Sequence, residues 1–275
     1  MSNSKTNWMT TTLLMIGSLF VLFPLYLTIT IAFKTPLELA QNSILALPES
    51  FSLQNFVTAI EMTNFFQALA NSLLITIPTV ILTILFHSMI SYVITRNLQK
   101  KMYKFIYFYI ISAMFVPFSI IMLPIVKQTS SWNMDNLGGL VVLYLVLNLA
   151  FNLFIYTGYI KSIPVELEEA AIIDGATTWQ VFWKVIFPLL KPINATVAIT
   201  TTLGVWNDFM LPLVVLSGKN EAATLPLTQY IFQSEFSTDY TLSFASYLLS
   251  MLPMLILYFV AQKRIIAGVT RGAVK

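Results

Sequence analysis

Long apolar stretches that are almost free of charged residues, separated by short polar segments, form the main pattern along this chain. A helix needs about 20 apolar residues to cross the roughly 30 Å hydrocarbon core of a bilayer. Six stretches reach that length: residues 10–31 (extending to 33), 68–95, 105–126, 136–160, 193–218 and 240–262. Apolar runs that form buried strands or helices in soluble proteins are shorter. The pattern therefore predicts an all-α integral membrane protein with six transmembrane helices.

Composition favours the same environment. The chain is 57% hydrophobic and 10% charged, with a mean hydropathy of +0.78, whereas a soluble domain has about 25% charged residues. We therefore expect one transmembrane domain spanning residues 1–275. The chain has no cysteine and one histidine, which excludes disulfides and thiolate metal sites and argues against a histidine-based metal site. No long basic run or basic-aromatic repeat indicates a nucleic-acid partner.

The placement of lysine and arginine predicts the orientation, because cytoplasmic loops of membrane proteins are enriched in these residues. With the N-terminus inside, twelve of the 15 Lys and Arg residues face the cytoplasm, and only Lys34, Lys127 and Lys219 lie outside. Both termini are therefore predicted to be cytoplasmic. The predicted outer loops are residues 34–67, 127–135 and 219–239, and the longest inner loop is 161–192.

Proline occurs inside five of the six predicted spans, as Pro24, Pro78, Pro117 with Pro124, Pro212 and Pro253. Proline removes a backbone hydrogen bond and bends a helix, and membrane helices tolerate it where neighbours or water satisfy the freed carbonyl. Ordinary bending is one interpretation of each proline. Their presence in nearly every span favours a bundle that moves over a rigid anchor.

The inner loop 161–192 has the pattern of a helix–turn–helix. Glutamates follow Pro164, where the N-terminus of a helix favours acids. Gly175 suits the position after a helix end, and Thr177 with Gln180 matches a capping box. A first helix of about 10 residues is too short to be stable alone. Two interpretations stay open: the helix docks in a groove of another protein, or it packs on its own bundle.

The same loop resembles the EAA loop of binding-protein-dependent ABC importer permeases. The family pattern is E-A-A, three residues, G, nine residues and I-x-L-P. The chain has Glu169-Ala170-Ala171, then Gly175, then Val185-Ile186-Phe187-Pro188, with the spacing intact. Val185 and Phe187 depart conservatively from isoleucine and leucine. Residues 51–56, 71–73, 206–209 and 267–275 also resemble the smaller of the two permeases in oligosaccharide importers of the maltose and raffinose type.

This resemblance implies a short cytoplasmic coupling helix that docks into a cleft of an ATPase subunit. The implied contact residues are Glu168, Glu169, Ala170, Ala171, Asp174, Gly175 and Ala176. In the family the glutamate and the aspartate meet basic residues of the ATPase, which carries over to Glu169 and Asp174. The implied partners are a second homologous permease, an ATP-binding cassette ATPase dimer that holds ATP and Mg, an extracellular solute-binding protein, a sugar and membrane lipid. The implied location is the cytoplasmic membrane of a bacterium.

The chain itself is predicted to bind no cofactor and to have no ATPase site, because it lacks the G-x-x-x-x-G-K-[ST] pattern that cradles phosphates. The alternatives are an ABC permease for another small solute such as glycerol phosphate, or a secondary transporter. Secondary transporters carry ionisable residues in several spans, whereas the predicted spans hold only Asp208 and His87. An integral membrane enzyme would need clustered acids, bases or metal ligands, and the sequence has none.

Polar residues within the predicted spans give two further expectations. Trp206, Asn207 and Asp208 form a candidate translocation path, with the alternative, slightly favoured, that Asp208 caps or pins a broken helix near Pro212. Asn148, Asn152 and His87 are expected to form hydrogen bonds between helices, and no acid accompanies His87 as a proton relay would require.

Two segments outside the spans carry predictions of their own. In the outer loop 219–239, Tyr230, Phe232 and Phe236 are candidate contacts for the solute-binding protein, with a solvated connector as the alternative. The tail 265–275 resembles a segment that reaches the interface between two ATPase subunits.

Overall fold

A computed structural model of the chain describes residues 8–234 and 239–273, and the regular secondary structure of these residues is helical. The first helices are α1 Trp8–Phe33, α2 Pro36–Gln41, α3 Gln54–Met62, α4 Phe65–Arg96, α5 Lys101–Phe115, α6 Phe118–Ser131 and α7 Leu137–Ile160. They are followed by α8 Glu166–Ile173, α9 Thr178–Leu189, α10 Lys191–Asn207, α11 Met210–Val215, α12 Leu225–Ser234 and α13 Tyr240–Ala273. The prediction of an all-helical chain is confirmed for these residues.

Membrane-spanning candidates fall into two kinds. α1, α4, α7 and the Tyr240–Phe259 part of α13 are each long and apolar enough to cross a bilayer. Two pairs pass the same test only together: α5 with α6, which are bent by 104°, and α9 with α10, which are bent by 73°. The described residues thus hold four candidate spans, or up to six if each bent pair is one span.

The predicted third and fifth spans, residues 105–126 and 193–218, are each interrupted, and the break in the fifth is separate from the bend between α9 and α10. In the third, Val116 and Pro117 have extended backbones that separate α5 from α6, as expected where a proline disfavours helical geometry in the residue before it. In the fifth, the helix stops at Asn207, Asp208 is extended, and the chain becomes helical again at Met210.

Residues 8–66, 228–234 and 239–257 form one compact unit. Its core contains Ala32, Ala59, Phe232 and Ala245. The Asn55 side chain donates hydrogen bonds of 2.8 and 2.7 Å to the carbonyls of Ala32 and Lys34, which satisfies carbonyls that a helix end leaves without partners.

Residues 67–227 and 258–273 form the second unit, in which α4 packs along α7 and against α10. Both α4 and α9 contain a wider, π-helical segment, at Thr83–His87 and Phe182–Ile186. Such bulges occur mostly as single turns and are frequent at functional sites. A core cluster packs Tyr156 and Ile160 of α7 against Phe182 of α9, within the helix–turn–helix of residues 161–192.

Candidate functional site

The loop between α7 and α10, called the coupling loop (residues 161–192) from here on, is a helix–turn–helix as predicted. α8 has 8 residues, Asp174 ends it, and Gly175 has a φ of +87°. Gly175 N–H donates to Ile172 O over 3.0 Å and Ala176 N–H donates to Ala171 O over 2.9 Å. This pair of bonds is the Schellman arrangement, which depends on a left-handed residue after the helix.

A capping box starts the second helix of the loop. Thr177 Oγ1 accepts a hydrogen bond of 3.3 Å from the backbone N–H of Gln180, and Gln180 Oε1 accepts one of 2.9 Å from the backbone N–H of Thr177. The reciprocal bonds satisfy two donors that a helix N-terminus leaves free. The turn between α8 and α9 is therefore fixed by its own residues on both sides.

α8 has two different faces. Ala171 in α8, and Ala176 in the turn that follows, are partly buried against the core cluster of Tyr156 and Phe182. The opposite face is exposed, and we call it the exposed face; it consists of Glu169, Ala170, Ile173, Asp174 and Gly175. Both interpretations left open by the sequence thus describe part of the loop, because one side packs on the bundle and the other side is free in this chain.

Apolar side chains on the exposed side of the loop were missed from the sequence. Ile173 is 85% exposed and Trp179 is 60% exposed, and Leu167 and Ile172 are exposed as well. A helix of 8 residues can turn only one stripe toward the bundle. When apolar residues lie on several sides of such a short helix, some of them must face away from the bundle. This pattern in the sequence indicates a second apolar contact, with another protein.

Glu168 does not belong to the exposed face, which corrects its prediction as a contact for the ATPase. Its carboxylate is buried, and Arg96 at the C-terminal end of α4 donates from Nε to Oε1 over 2.6 Å. The Tyr92 hydroxyl donates to Oε2 over 2.7 Å. Arg96 Nη2 also donates to the carbonyl of Ile163 over 3.0 Å. Both carboxylate oxygens of Glu168 are therefore occupied by groups of the same chain.

Trp206, Asn207 and Asp208 lie together at the break between α10 and α11. Asp208 Oδ1 accepts from the backbone N–H groups of Met210 and Leu211 over 3.0 and 3.4 Å. Its Oδ2 accepts from the Tyr144 hydroxyl over 2.9 Å. This is the capping role near Pro212 that was the alternative to a path-lining one. Trp206 is only 5% exposed, so its ring is packed within the chain.

His87 joins α4 to α7, as predicted for a hydrogen bond between helices. Its Nε2 lies 3.0 Å from the carbonyl oxygen of Leu145, and its Nδ1 lies 3.1 Å from the amide nitrogen of Asn152. A carbonyl only accepts and an amide nitrogen only donates, so the imidazole is neutral with its proton on Nε2. Asn148 donates to Tyr144 O over 2.9 Å within α7, and its predicted role between helices stays a prediction.

The beginning of the predicted outer loop 219–239 is anchored at three places within the second unit. Lys219 Nζ lies 2.7 Å from Asp135 Oδ2. Asn71 donates from its side chain to the carbonyls of Glu221 and Ala223 over 2.8 and 2.9 Å. The backbone N–H of Leu225 donates to the Ser72 hydroxyl over 2.9 Å. The hydrogen bond from Lys219 holds the pKa of the Asp135 carboxyl below its ordinary value.

The three residues predicted to contact a solute-binding protein differ in what the structure describes of them. Phe232 is buried, 1% exposed, in the core with Ala32, Ala59 and Ala245, so it is corrected to a core residue. Phe236 and the side chain of Tyr230 lie outside the described residues. In the tail, the backbone of α13 is helical to Ala273, and residues 274–275 lie outside the description.

Several helices long and apolar enough to cross a membrane, with a partly exposed helix–turn–helix between two of them, define the chain as a multi-pass membrane protein. Residues 84–271, more than half of the chain, match the model of the family described as "binding-protein-dependent transport system inner membrane component". The chain belongs to this family, and the resemblance drawn from the EAA motif is confirmed.

Relatives match nearly the whole length. The multiple sugar-binding transport system permease protein MsmG of Streptococcus mutans is 40% identical, covering 96% of this chain and 95% of that protein. The probable starch degradation products transport system permease protein AmyC of Thermoanaerobacterium thermosulfurigenes is 36% identical over 94% and 93%. The melibiose/raffinose/stachyose import permease protein MelC of Bacillus subtilis is 32% identical over 92% and 91%.

A solved structure has a similar fold. A chain of a bacterial ABC transporter involved in the import of the acidic polysaccharide alginate superimposes with a TM-score of 0.79. The two chains are 24% identical, and the match covers 96% of this chain and 98% of the other. The likeness therefore extends over the bent helix pairs as well as the four long helices.

Proposed function

We propose that the chain is the membrane-spanning permease subunit of a binding-protein-dependent ABC importer that moves a sugar, and more narrowly an oligosaccharide, into a bacterial cell. The observation that carries the proposal is the coupling loop, whose EAA motif folds as a stable turn with a free, acidic and apolar face. The relatives named above carry sugar names, which favours a sugar over glycerol phosphate.

The exposed face is the surface that we assign to the ATPase subunit. Glu169 and Asp174 lie near opposite ends of α8 and present carboxylates to basic residues of a cleft. Ile173 and Trp179 supply apolar area beside them. Acids that flank an apolar anchor suit a short helix seated in a groove. ATP and Mg bind to the ATPase dimer in this proposal, and the chain contributes no residue to hydrolysis.

The remaining partners follow from the family. A second permease subunit completes the pathway, and a solute-binding protein delivers the sugar at the outer surface. We also propose six spans with both termini in the cytoplasm, with α5 and α6 together forming the third span and α10 with α11 forming the fifth. Twelve of the 15 lysines and arginines inside support this orientation. The bundle then alternates between outward and inward access while the ATPase dimer opens and closes beneath it.

Reconstituted complexes test the proposal directly. The chain is produced with a second permease, an ATPase and a binding protein from the same operon, and the complex is placed in proteoliposomes with ATP inside. We expect hydrolysis and uptake to rise with maltotriose or raffinose and with the binding protein present. Glycerol 3-phosphate in place of the sugar should give neither. Stimulation by glycerol 3-phosphate alone would overturn the sugar assignment, and ATP hydrolysis by the purified chain alone would overturn the assignment as a permease subunit.

The docking assignment has its own matched pair of variants. Removing a charge-assisted hydrogen bond at an interface costs about 1.5–3 kcal/mol. Glu169→Ala should therefore release ATPase subunits during purification, by one to two orders of magnitude in affinity. Glu166→Ala is the control, because Glu166 is an exposed glutamate of the same helix outside the proposed contact. If both variants retain the ATPase equally well, the exposed face is not the docking surface.

A further inference from the structure

Arg96, which is partly buried, and Glu168, which is buried, form an ion pair that joins the coupling loop to the end of α4. We propose that these two are positioning residues: they make α8 move as one body with α4, so that displacement of the ATPase is passed to the bundle. The inference rests on the proposed function, since it concerns how the same loop transmits motion. It differs from docking, because neither side chain is on the exposed face.

Several short hydrogen bonds hold the pair in place. Arg96 Nη2 and Nε both lie 2.6 Å from Glu168 Oε1, and the two side chains are 16% and 9% exposed. Tyr92, one turn before Arg96 in α4, donates to the other carboxylate oxygen over 2.7 Å. Nη2 also donates to the Ile163 carbonyl, ahead of α8, over 3.0 Å. Two side chains of α4 thus hold both the first turn of α8 and the segment that leads into it.

Both charges also stand where helix dipoles favour them. Arg96 is the last residue of α4, and Glu168 lies in the first turn of α8. Cations are stabilised at helix C-termini and anions at helix N-termini. The dipoles of both helices therefore favour the charged forms of this pair, and no other described ion pair joins α8 to the bundle.

α8 needs such an attachment to the bundle, because it is short. A helix of 8 residues is about 12 Å long and is marginal by itself. The small inward residues Ala171, in α8, and Ala176, in the turn after it, make limited apolar contact with the core. Without the ion pair the exposed face could still bind the ATPase, but α8 would shift relative to α4 when the ATPase moves. The two functions of neighbouring glutamates are therefore distinct: Glu169 binds the partner and Glu168 holds the helix that presents it.

The test measures the position of α8 and the coupling of transport separately. Spin labels are placed at Lys100→Cys, just past α4, and Leu167→Cys, on the side of α8; the chain has no native cysteine. Their distance is measured by pulsed electron resonance in the assembled complex, without nucleotide and with ATP. We expect one narrow distribution that is the same in both states. A distance that changes between the states in the otherwise unaltered chain would overturn the proposal.

Variants then separate the ion pair from the docking surface. Glu168→Gln keeps the shape of the side chain and should broaden the distance distribution. It should also lower transport per ATP by about tenfold or more, because it leaves the partly buried charge of Arg96 without its ion-pair partner. Glu169→Gln is the matched control, and it should weaken ATPase binding while the distance stays narrow. A Glu168→Gln complex with a narrow distance and normal transport per ATP would refute the inference.

Charge exchange gives a second and independent readout. Arg96→Glu or Glu168→Arg alone places like charges together and should abolish coupled transport. The double exchange restores a pair of opposite charges. We therefore expect it to give a narrower distribution of spin-label distances and more transport than either single variant. No improvement in the double variant would overturn the ion pair as the link. If the unaltered complex imported no sugar, the proposed function would be refuted. The distances between the two spin labels would still show whether α8 and α4 move together.

Discussion

At the scale of single residues, the adjacent Glu168 and Glu169 show what a sequence can and cannot specify. Successive residues of a helix point about 100° apart, so one of two neighbouring acids can face the bundle while the other faces out. Which one faces inward depends on Arg96, 72 positions earlier in the chain. The EAA pattern located the helix and its turn, but it contains no information about that distant partner.

The same reasoning applies to Phe232. Aromatic residues in a polar outer segment favoured a contact with another protein, but Phe232 is packed among small residues of α1, α3 and α13. The pairing of Phe232 with Ala32 and Ala59 brings together positions far apart in the chain. Asp208 was better specified, because an acid four residues before Pro212 is a local signal of a helix start.

Gly175 provides a prediction at this scale. Its φ of +87° is a left-handed conformation, while a Cβ there would meet nothing within 4 Å. Substitutions should therefore act through backbone strain alone, costing about 1–2 kcal/mol for an ordinary residue and less for asparagine. We expect copurified ATPase to fall in the order Gly175→Asn, Gly175→Ala and Gly175→Val. Equal retention in all three would mean that the turn is not needed for docking.

Gly139 gives the opposite kind of prediction. A Cβ at this position would come within 1.8 Å of the backbone oxygen of Met134, so Gly139→Ala must shift the backbone at the start of α7. Overpacking of this kind costs about 1–3 kcal/mol or more. We expect a lower melting temperature in detergent and less folded protein. Gly158→Ala in the same helix is the control, since nothing lies within 4 Å of its Cβ; an equal loss in both would contradict the close approach.

At the scale of elements, the breaks in the predicted third and fifth spans were the hardest features to foresee. Pro24, Pro78 and Pro253 lie inside continuous helices, whereas Pro117 ends one. The residue type is the same, so the presence of a proline does not by itself decide whether a helix is interrupted. Helix existence followed from apolar length, but helix continuity did not.

The link between Asp135 and Lys219 joins two of the connecting segments and gives a pH prediction. The pKa of Asp135 is lowered by the hydrogen bond from Lys219. A lowered carboxyl pKa means that the pair contributes above the ordinary pKa of aspartate, and that its contribution disappears as the pH falls through the lowered value. Protection against hydrogen exchange at residues 219–225, expressed relative to the intrinsic exchange rate at the same pH, should therefore be high at neutral pH and should fall in acid, below about pH 4.

A variant separates this pair from general acid effects. Lys219→Met should lower this protection at neutral pH, and acidification should lower it little further. The Asn71 and Ser72 anchors stay in place in this variant, so the change should be partial. Identical exchange in the variant and the unaltered chain at neutral pH would show that the ion pair does not restrain the segment.

At the scale of the whole molecule, the topology is the property most readily predicted from sequence and most easily tested. Ser131→Cys and Ser162→Cys are matched substitutions at exposed serines, and the chain has no other cysteine. A membrane-impermeant maleimide added to intact cells should label Ser131→Cys and leave Ser162→Cys unlabelled until the membrane is opened. The reverse pattern would invert the proposed orientation, and labelling of both from outside would contradict the six-span arrangement.

The free apolar side of the coupling loop also bears on how such an importer is made. A chain that is inserted before its ATPase is present holds Ile173 and Trp179 in water, which is the kind of surface that proteases and chaperones of the cytoplasm recognise. We expect the orphan subunit to be short-lived in cells that lack the ATPase gene and long-lived when the ATPase is supplied, as followed by pulse-chase labelling. Ile173→Ser should lengthen the orphan lifetime; an unchanged lifetime would show that this surface is not the degradation signal. The loop would then act as a checkpoint of subunit stoichiometry before it ever takes part in transport.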